Sequence, residues 1–477
     1  MKRIVILGGG ISGLAAAHHV IELSAQDHSS IEVIVLESDT HAGGVIRTQE
    51  RDGFLLERGP DAFISEKPEA LSLVHRLGLE NNLIETNSSL RRSFVARGNK
   101  LLPVPVGFQL LAPSRFLPFL TSDIFSWSGK ARITLDLILP RRTKVNTSDD
   151  ESLASFVRRR LGREALDRMA QPMVGGIYTA DPELLSLRAT MPRFLEMEHR
   201  HRSLLRAMWH ARRSQTKEEA SGTSGARYSL FLSLDRGMQL LVDTLTAQLP
   251  TGCVRLNTKA ESLEYDTATK RWKVRASVGE MIEADAVCIA LPAYAAANLL
   301  GDLDTQLAHE LNAILYASTA TVNLAYRRAD IPHALDGFGF VVPFIEGRAT
   351  LACSFSSVKF AGRAPEGSVL LRAFVGGALQ PEMFALDDDA MVKAVRKDLR
   401  ELMGIEEAPL FSVVTKWPRS MAQYHVGHME RVERINARVE TVQTLQLAGN
   451  AYGGAGIPDC IRSGERAAEE IFRKITS

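Results

Sequence analysis

The first 37 residues narrow the choice of fold more than any other part of the chain. Residues 3–7 form a short apolar run, read as a strand. Gly8, Gly10 and Gly13 follow it as Gly-x-Gly-x-x-Gly. Residues 12–23 then set Leu14, Ala17, His18 and Ile21 near one face of a helix. Residues 31–37 are rich in Val and Ile, as a strand buried in a parallel sheet should be, and end on Glu37. Strand, glycine turn, helix and strand make a βαβ unit. In such a unit the first glycine permits the tight turn. The second lets the backbone approach a pyrophosphate, and the third lets helix and strand pack closely. The phosphates sit at the helix N-terminus, here beside Ile11 and Ser12, where free N–H groups and the helix dipole favour anions. Glu37, followed by Ser38, is placed to accept both ribose hydroxyls of an adenosine. No basic residue stands there to welcome a 2′-phosphate.

Two further features favour FAD over a nicotinamide dinucleotide. Gly43, Gly44, Arg47 and Thr48 come soon after Glu37 and offer a second close backbone approach. Near the other end, residues 450–459 run Asn-Ala-Tyr-Gly-Gly-Ala-Gly-Ile-Pro-Asp. Gly456, Ile457 and Pro458 read as the start of a second helix, with Pro458 suited to its first turn. Such a start stabilises negative charge that builds on a flavin as it is reduced.

The rest of the chain must complete this unit. Its 477 residues are about three times the ordinary domain length, so two or three domains are expected. Hydrophobic residues at 45% and charged residues at 24% exclude a disordered, fibrous or disulfide-stapled protein. The 57 basic and 56 acidic residues nearly cancel, so no global field recruits nucleic acid or an acidic membrane. Four widely spaced cysteines, Cys253, Cys288, Cys353 and Cys460, give no zinc spacing and imply free thiols in a reducing, cytosolic compartment. Lys2, Arg3 and Ala15 to Ala17 imitate a signal peptide, but Gly8, Gly9 and Gly10 interrupt its apolar stretch. Residues 101–127 are the most membrane-like. Pro103, Pro105, Pro113, Pro118 and Arg115 break them below the ~18–20 apolar residues a span requires. They read as core, as a cavity wall, or as a patch lying on a membrane.

Strands are expected at residues 252–263, 271–278, 280–284, 285–291 and 444–447, and a helix at 458–471. A second sheet is expected from 317–326, 337–342, 350–355 and 369–375, with an amphipathic helix at 387–403. Residues 153–169 read as an arginine-rich helix whose Arg158, Arg159 and Arg160 face solvent, and 215–226 as a polar loop. The fold class is therefore α/β in a multi-domain α+β chain. A discontinuous Rossmann-like FAD-binding domain (1–86, 227–298, 411–477) carries an inserted substrate-wall segment with a helical, membrane-facing domain (87–226) and a mixed-sheet substrate domain (299–410).

GGGISG at residues 8–13, GGVIRT at 43–48 and ERGPDAF at 57–63 resemble the FAD-dependent amine oxidase superfamily. SGKAR at 128–132, GGIYTAD at 175–181, HRSL at 201–204, WPRSMAQYHVGH at 417–428 and GGAGIPDC at 453–460 resemble its porphyrinogen oxidases. Residues 235–238, Asp-Arg-Gly-Met, depart from the paired glycines of many relatives. The resemblance implies six-electron oxidation of a porphyrinogen to a porphyrin in haem biosynthesis, with molecular oxygen as acceptor. Coproporphyrinogen III is the leading substrate, and protoporphyrinogen IX is equally close chemically. The flavin does the chemistry, so no catalytic side chain and no metal are expected. His425 and His428 have ligand spacing without a third ligand. The resemblance also places Gly59, Pro60, Asp61 and Ala62 in a flavin turn, and Ala260 and Trp417 near the cofactor. Lys67 and Arg97 become carboxylate anchors, beside Arg91, Arg92 and Lys100. Gly175, Ile177 and Tyr178 become the loop facing the isoalloxazine. It implies a cytoplasmic protein with peripheral membrane contact and a haem-pathway enzyme as partner. An amine oxidase, a carotenoid desaturase and a non-enzymatic binding protein on the same fold are the alternatives. Tyr452 alone in the C-terminal turn disfavours an aromatic amine cage.

Overall fold

A computed structural model describes residues 1–109, 111–142, 150–214, 231–277 and 279–476. The polar stretch at 215–226 lies outside the described residues.

A five-stranded parallel sheet forms the base. Its order is Val254–Arg255, Ile31–Leu36, Lys2–Leu7, Ala286–Ile289 and Leu445–Leu447. Start, middle and end of the chain thus meet in one sheet, as the scattered nucleotide-type elements require. Ile4, Val5 and Ile6 are wholly buried, because helices cover both faces of a parallel sheet. The helix Ile11–Gln26 follows the first strand, and the helix Ile457–Thr476 closes the chain against it.

One expected strand is two. Residues 252–263 divide into Val254–Arg255, which joins the parallel sheet, and Ala260–Asp266. The latter begins an antiparallel sheet with Arg271–Ala276 and Met281–Ala284. The break is a turn at Asn257, which has φ +53°. There Asn257 and Thr258 donate their N–H groups to Asp39 O (2.9 Å) and Glu37 O (2.7 Å).

The second large sheet has seven strands. Its order is Phe411–Ala422, Tyr316–Arg327, Ser368–Gly376, Thr350–Phe355, Gly339–Val341, Phe94–Arg97 and Lys100–Pro103. All pairs are antiparallel except Phe94–Arg97 against Gly339–Val341. Both ends of this sheet come from outside residues 299–410. Phe94–Arg97 and Lys100–Pro103 lie in the segment read as substrate wall and helical domain, and Phe411–Ala422 in the last cofactor segment. Edge strands carry weak patterns: Phe411–Ala422 holds Pro418 and mostly half-buried side chains. The helix Asp388–Met403 covers this sheet. Asp387 caps it by accepting the Ala390 N–H (2.7 Å), and Met391, Val395 and Leu399 are buried beneath it.

The third body is helical, from Phe116–Thr121 to Leu204–Ser214. The single helix expected at 153–169 breaks at Gly162 (φ +94°) into Leu153–Arg160 and the short turns after it. A Cβ on Gly162 would lie 2.4 Å from Arg132 Cγ. Arg160 is not on a solvated face. It is fully buried against Asp136, also fully buried, which further accepts the Ser203 hydroxyl (2.6 Å) and the Leu205 N–H (3.0 Å). Spacing cannot reveal such a pair, because its halves stand 24 residues apart. The 101–127 stretch divides by side chain. Val104, Phe108, Leu111, Phe119 and Phe125 are core, whereas Leu117 and Trp127 are 73% and 74% exposed. All four cysteines are free and buried.

Candidate active site

The nucleotide turn has the geometry its glycines require. Gly8 has φ +106°, and a Cβ there would lie 2.6 Å from Ala290 O. A Cβ on Gly13 would sit 2.0 Å from Gly8 O. Gly10 differs: a Cβ there would meet nothing within 4 Å. It would point into open space before the first helix, whose ladder begins with Leu14 N–H to Gly10 O (2.9 Å). The N–H groups of Ile11, Ser12 and Gly13 precede that ladder. The space residue 10 leaves open therefore fits a pyrophosphate. Glu37 closes the far side. Its Oε2 accepts the Gly9 N–H (2.7 Å), its Oε1 accepts the Asp39 N–H (2.8 Å), and Ser38 Oγ lies 3.3 Å from Oε1. Lone pairs remain on both oxygens for ribose hydroxyls.

Two more turns stack on the first. Gly43 (φ +104°) donates its N–H to Gly9 O (2.7 Å), and a Cβ on Gly44 would come within 3.4 Å of Gly10 Cα. A Cβ on Gly59 would collide with Val45 O at 1.6 Å. Residues 8–13, 43–47 and 59–62 thus form one backbone-lined wall, with Pro60, Asp61 and Ala62 half-buried along it. Arg47 is ion-paired with Asp39 and lies 5.7 Å over the Trp417 ring. Trp417 Nε1 donates to Arg58 O (2.9 Å). Ala260 begins the strand that follows the Thr258–Glu37 contact, so it stands near Glu37.

The substrate sheet holds the third turn by a buried charge cluster that the sequence reading missed. Lys359 Nζ donates to Asp61 (2.9 Å), and Arg372, on the inner strand Ser368–Gly376, reaches Gly59 O and lies beside Asp61. Burial raises the Asp61 carboxyl, but Lys359 and then Arg372 outweigh it and bring it down to about 2. Next to it, Glu57 accepts the Met238 N–H and the Thr48 hydroxyl, both at 2.8 Å. There burial prevails and lifts the carboxyl to about 7, although those bonds and Arg363 and Arg372 pull it down. The departing segment at 235–238 is what reaches Glu57: Gly237 has φ +87°, and a Cβ there would meet Thr48 at 2.3 Å. One signal was available. Arg372 is a lone charge inside an otherwise apolar strand, which needs a buried partner.

The second helix start lies further along the same cleft. A Cβ on Gly464 would meet Ser12 O at 2.1 Å, and His19 Nε2 lies 3.4 Å from Glu469. The first and last helices therefore run parallel in close contact. Gly464 is seven residues past Ile457. At 1.5 Å per residue, the last helix starts about 10 Å beyond the first. The chain thus offers two helix starts side by side, one at Ile11 and one at Gly456, Ile457 and Pro458. Lys67, expected as a free carboxylate anchor, is committed here. Its ammonium donates to both oxygens of Asp459, at 2.7 and 2.6 Å.

The helix Gln171–Tyr178 brings its Tyr178 end within reach of the Asp459 charge. A Cβ on Gly176 would meet nothing within 4 Å, one on Gly175 only Gln171 Nε2 at 3.2 Å, and Ile177 is 49% exposed. Tyr178 turns inward on Tyr424, with centroids 6.0 Å apart. Burial, with a contribution from the Asp459 charge, lifts its hydroxyl to about 12. Gln423 Nε2 donates to Tyr178 O (3.3 Å), and Tyr424 Oη donates to Asn450 O, so the loop and the flavin-side turn are tied together. Behind them His428 stacks on Tyr424 at 4.5 Å, and burial with Arg431 lowers it to about 4. Arg97 stands elsewhere. With Gly98, Lys100, Leu102, Asp123, Arg168 and Glu346 it lines an open pocket of about 700 Å³. Arg168 precedes the Gln171–Tyr178 helix, so this pocket adjoins the opposite end of that helix from Ile177, about 10 Å along its axis. Of the neighbouring cations, Arg92 is paired with Asp336 (2.9 Å).

Comparison with known proteins agrees with this geometry. Residues 11–472 match the model of the flavin containing amine oxidoreductases. The coproporphyrinogen III oxidase of Bacillus subtilis is 35% identical over 100% of this chain and 99% of its own length. That of Propionibacterium freudenreichii is 37% identical over 98% and 90%. The solved structure of a putative protoporphyrinogen oxidase from Exiguobacterium superposes with TM-score 0.86 at 29% identity, covering 99% of each chain. With FAD as its cofactor, the chain belongs to the flavin containing amine oxidoreductases, in their porphyrinogen oxidase branch.

Proposed function

We propose that this protein oxidises a porphyrinogen to the porphyrin, with molecular oxygen as final acceptor, and that coproporphyrinogen III is its first substrate. The carrying observation is the cleft between the second helix start and the glycine loop at 175–178. One wall is backbone and helix N-terminus. The other is Gly175, Gly176 and the exposed Ile177, where a Cβ on Gly176 would meet nothing within 4 Å. FAD, when bound, supplies the hydride acceptor and the reaction with oxygen.

The chain's own residues bind, orient and exclude water. The titratable groups at the cleft suit that division of labour. Tyr178 is pushed up to about 12 by burial, and His428 behind it down to about 4. Neither exchanges protons readily near neutral pH. Ile177 would pack on the ring, and Arg97 and Lys100, in the pocket beside Arg168 at the other end of the same helix, would take the propionates. A guanidinium grips a carboxylate in bidentate fashion. A substrate with four propionates uses such a far rim more fully than one with two, which favours coproporphyrinogen III. The coproporphyrinogen III oxidases at 31–37% identity support the same choice.

Porphyrin fluorescence on the purified flavoprotein, with coproporphyrinogen III and protoporphyrinogen IX side by side, tests the reading. Porphyrin and peroxide should appear faster than in the autoxidation blank, with the higher kcat/KM for coproporphyrinogen III. No acceleration with either substrate refutes it.

No described helix is long and apolar enough to cross a membrane. Peripheral contact with a lipid surface is proposed through Phe116, Leu117, Trp127, Leu135 and Ile138, all exposed, with exposed Arg141 and Arg142 beside them. Sedimentation with anionic vesicles should carry the protein down, and Leu117→Asp with Trp127→Ser should release it.

A further inference from the structure

We infer that Lys67 is a positioning residue for the flavin, acting through Asp459, and that this ion pair sets how readily the bound flavin accepts electrons. The inference rests on the flavin reading of the cleft and assigns Lys67 a role other than holding substrate.

Asp459 stands in the first turn of the last helix and is 4% exposed. A carboxylate there opposes the help that free N–H groups give to negative charge on a neighbouring ligand. It cannot swing away. A Cβ on Gly454 would lie 2.4 Å from Asp459 Cγ, and one on Gly456 3.1 Å from its Oδ2, so the glycine turn is wrapped around it. Two cations answer it. Lys67 Nζ binds both carboxylate oxygens, and Arg462 bridges Asp459 to Glu69 (2.8 Å). The four groups, Lys67, Arg462, Asp459 and Glu69, sum to zero charge. Removing either member of the Lys67–Asp459 pair leaves a net unit charge at the helix start that faces the flavin ring. The field reaches the opposite wall as well, since the Asp459 charge bears on Tyr178. Lys67 keeps 45% of its side chain exposed, so its removal opens no cavity.

The test is the two-electron midpoint potential of the bound flavin. It is measured on holoenzyme by slow photoreduction against a reference dye, for the wild type, Lys67→Met, Asp459→Asn and the double variant. Lys67→Met should disfavour the reduced flavin about tenfold, a shift of about −30 mV for a two-electron couple. Asp459→Asn should shift it in the opposite sense. The double variant should return near the wild type, because its charge is again balanced. Lys67→Arg should leave the potential unchanged. Should Asp459→Asn fail to retain flavin, the Lys67→Met shift and its absence in Lys67→Arg decide alone. Equal potentials throughout overturn the inference. So does a raised KM for coproporphyrinogen III in Lys67→Met at unchanged potential, which would return Lys67 to the substrate. A wild type that holds flavin but oxidises no porphyrinogen would refute the proposed substrate and leave this comparison of potentials intact.

Discussion

Replacing Gly10 and Gly13 in turn separates cofactor binding from folding within one turn. Gly10 has φ −71° and ψ 174°, a conformation any residue adopts, and a Cβ there meets nothing within 4 Å. Gly10→Val should therefore leave the fold intact. Its stability should change by less than about 1 kcal/mol, with some gain from a stiffer unfolded chain. Its cost falls on the ligand, because the isopropyl group fills the space before Ile11, Ser12 and Gly13. Hydrogen bonds from such N–H groups to a charged partner are worth about 1.5–3 kcal/mol each. Losing two costs about 3–6 kcal/mol, a hundredfold or more in flavin affinity. Gly13→Ala is the converse. Its Cβ would lie 2.0 Å from Gly8 O, so strand and helix must part. That variant should lose thermal stability as well as flavin. Flavin absorbance per protein and circular-dichroism melting read the two effects separately. A yellow Gly10→Val protein would refute the placement of the pyrophosphate. A colourless one that melts like Gly13→Ala would refute the claim that the space is reserved for a ligand.

Glu57 is protonated more readily in the folded chain than in the unfolded one, with its carboxyl raised from 4.5 to about 7. The stability this confers is complete below pH 4.5 and lost as pH rises through 7, about 3 kcal/mol at 1.36 per unit, so Glu57→Gln should gain on the wild type between pH 5 and 8 in denaturant unfolding. A pH-independent difference would show that Arg363 and Arg372 keep Glu57 ionised. His428 works in the opposite sense. Lowered from 6.5 to about 4, it contributes stability that is present above pH 6.5 and lost as pH falls through 4, and His428→Gln should flatten that acid limb. Arg160→Met leaves Asp136 buried without its cation and should cost about 3–5 kcal/mol, whereas adding Asp136→Asn should recover part of it in the same unfolding assay.

What the sequence disclosed, and what it withheld, follow one physical rule. The turns at Gly8, Gly43 and Gly454 were legible because their requirements are local. A positive φ or a missing Cβ marks the position whatever lies elsewhere in the chain. The parallel strands were legible for a similar reason, since burial on both faces leaves a continuous apolar run. Charge was not. Lys67 read as a free cation, and Arg160 as a solvated one, because the carboxylates that answer them lie 392 and 24 residues away. The edges of the large sheet were hidden likewise. Phe411–Ala422 owes its pairing to a strand far along the chain, and the hairpin of Phe94–Arg97 with Lys100–Pro103 joins the sheet only through the distant Gly339–Val341. The charge pairs that spacing hides therefore tie together segments distant in the chain: Lys359 and Arg372 with Asp61, Lys67 with Asp459, and Arg160 with Asp136. An isolated cation beside a glycine turn in such a chain is better read first as part of the cofactor's frame, and as a substrate contact only once its partner has been sought.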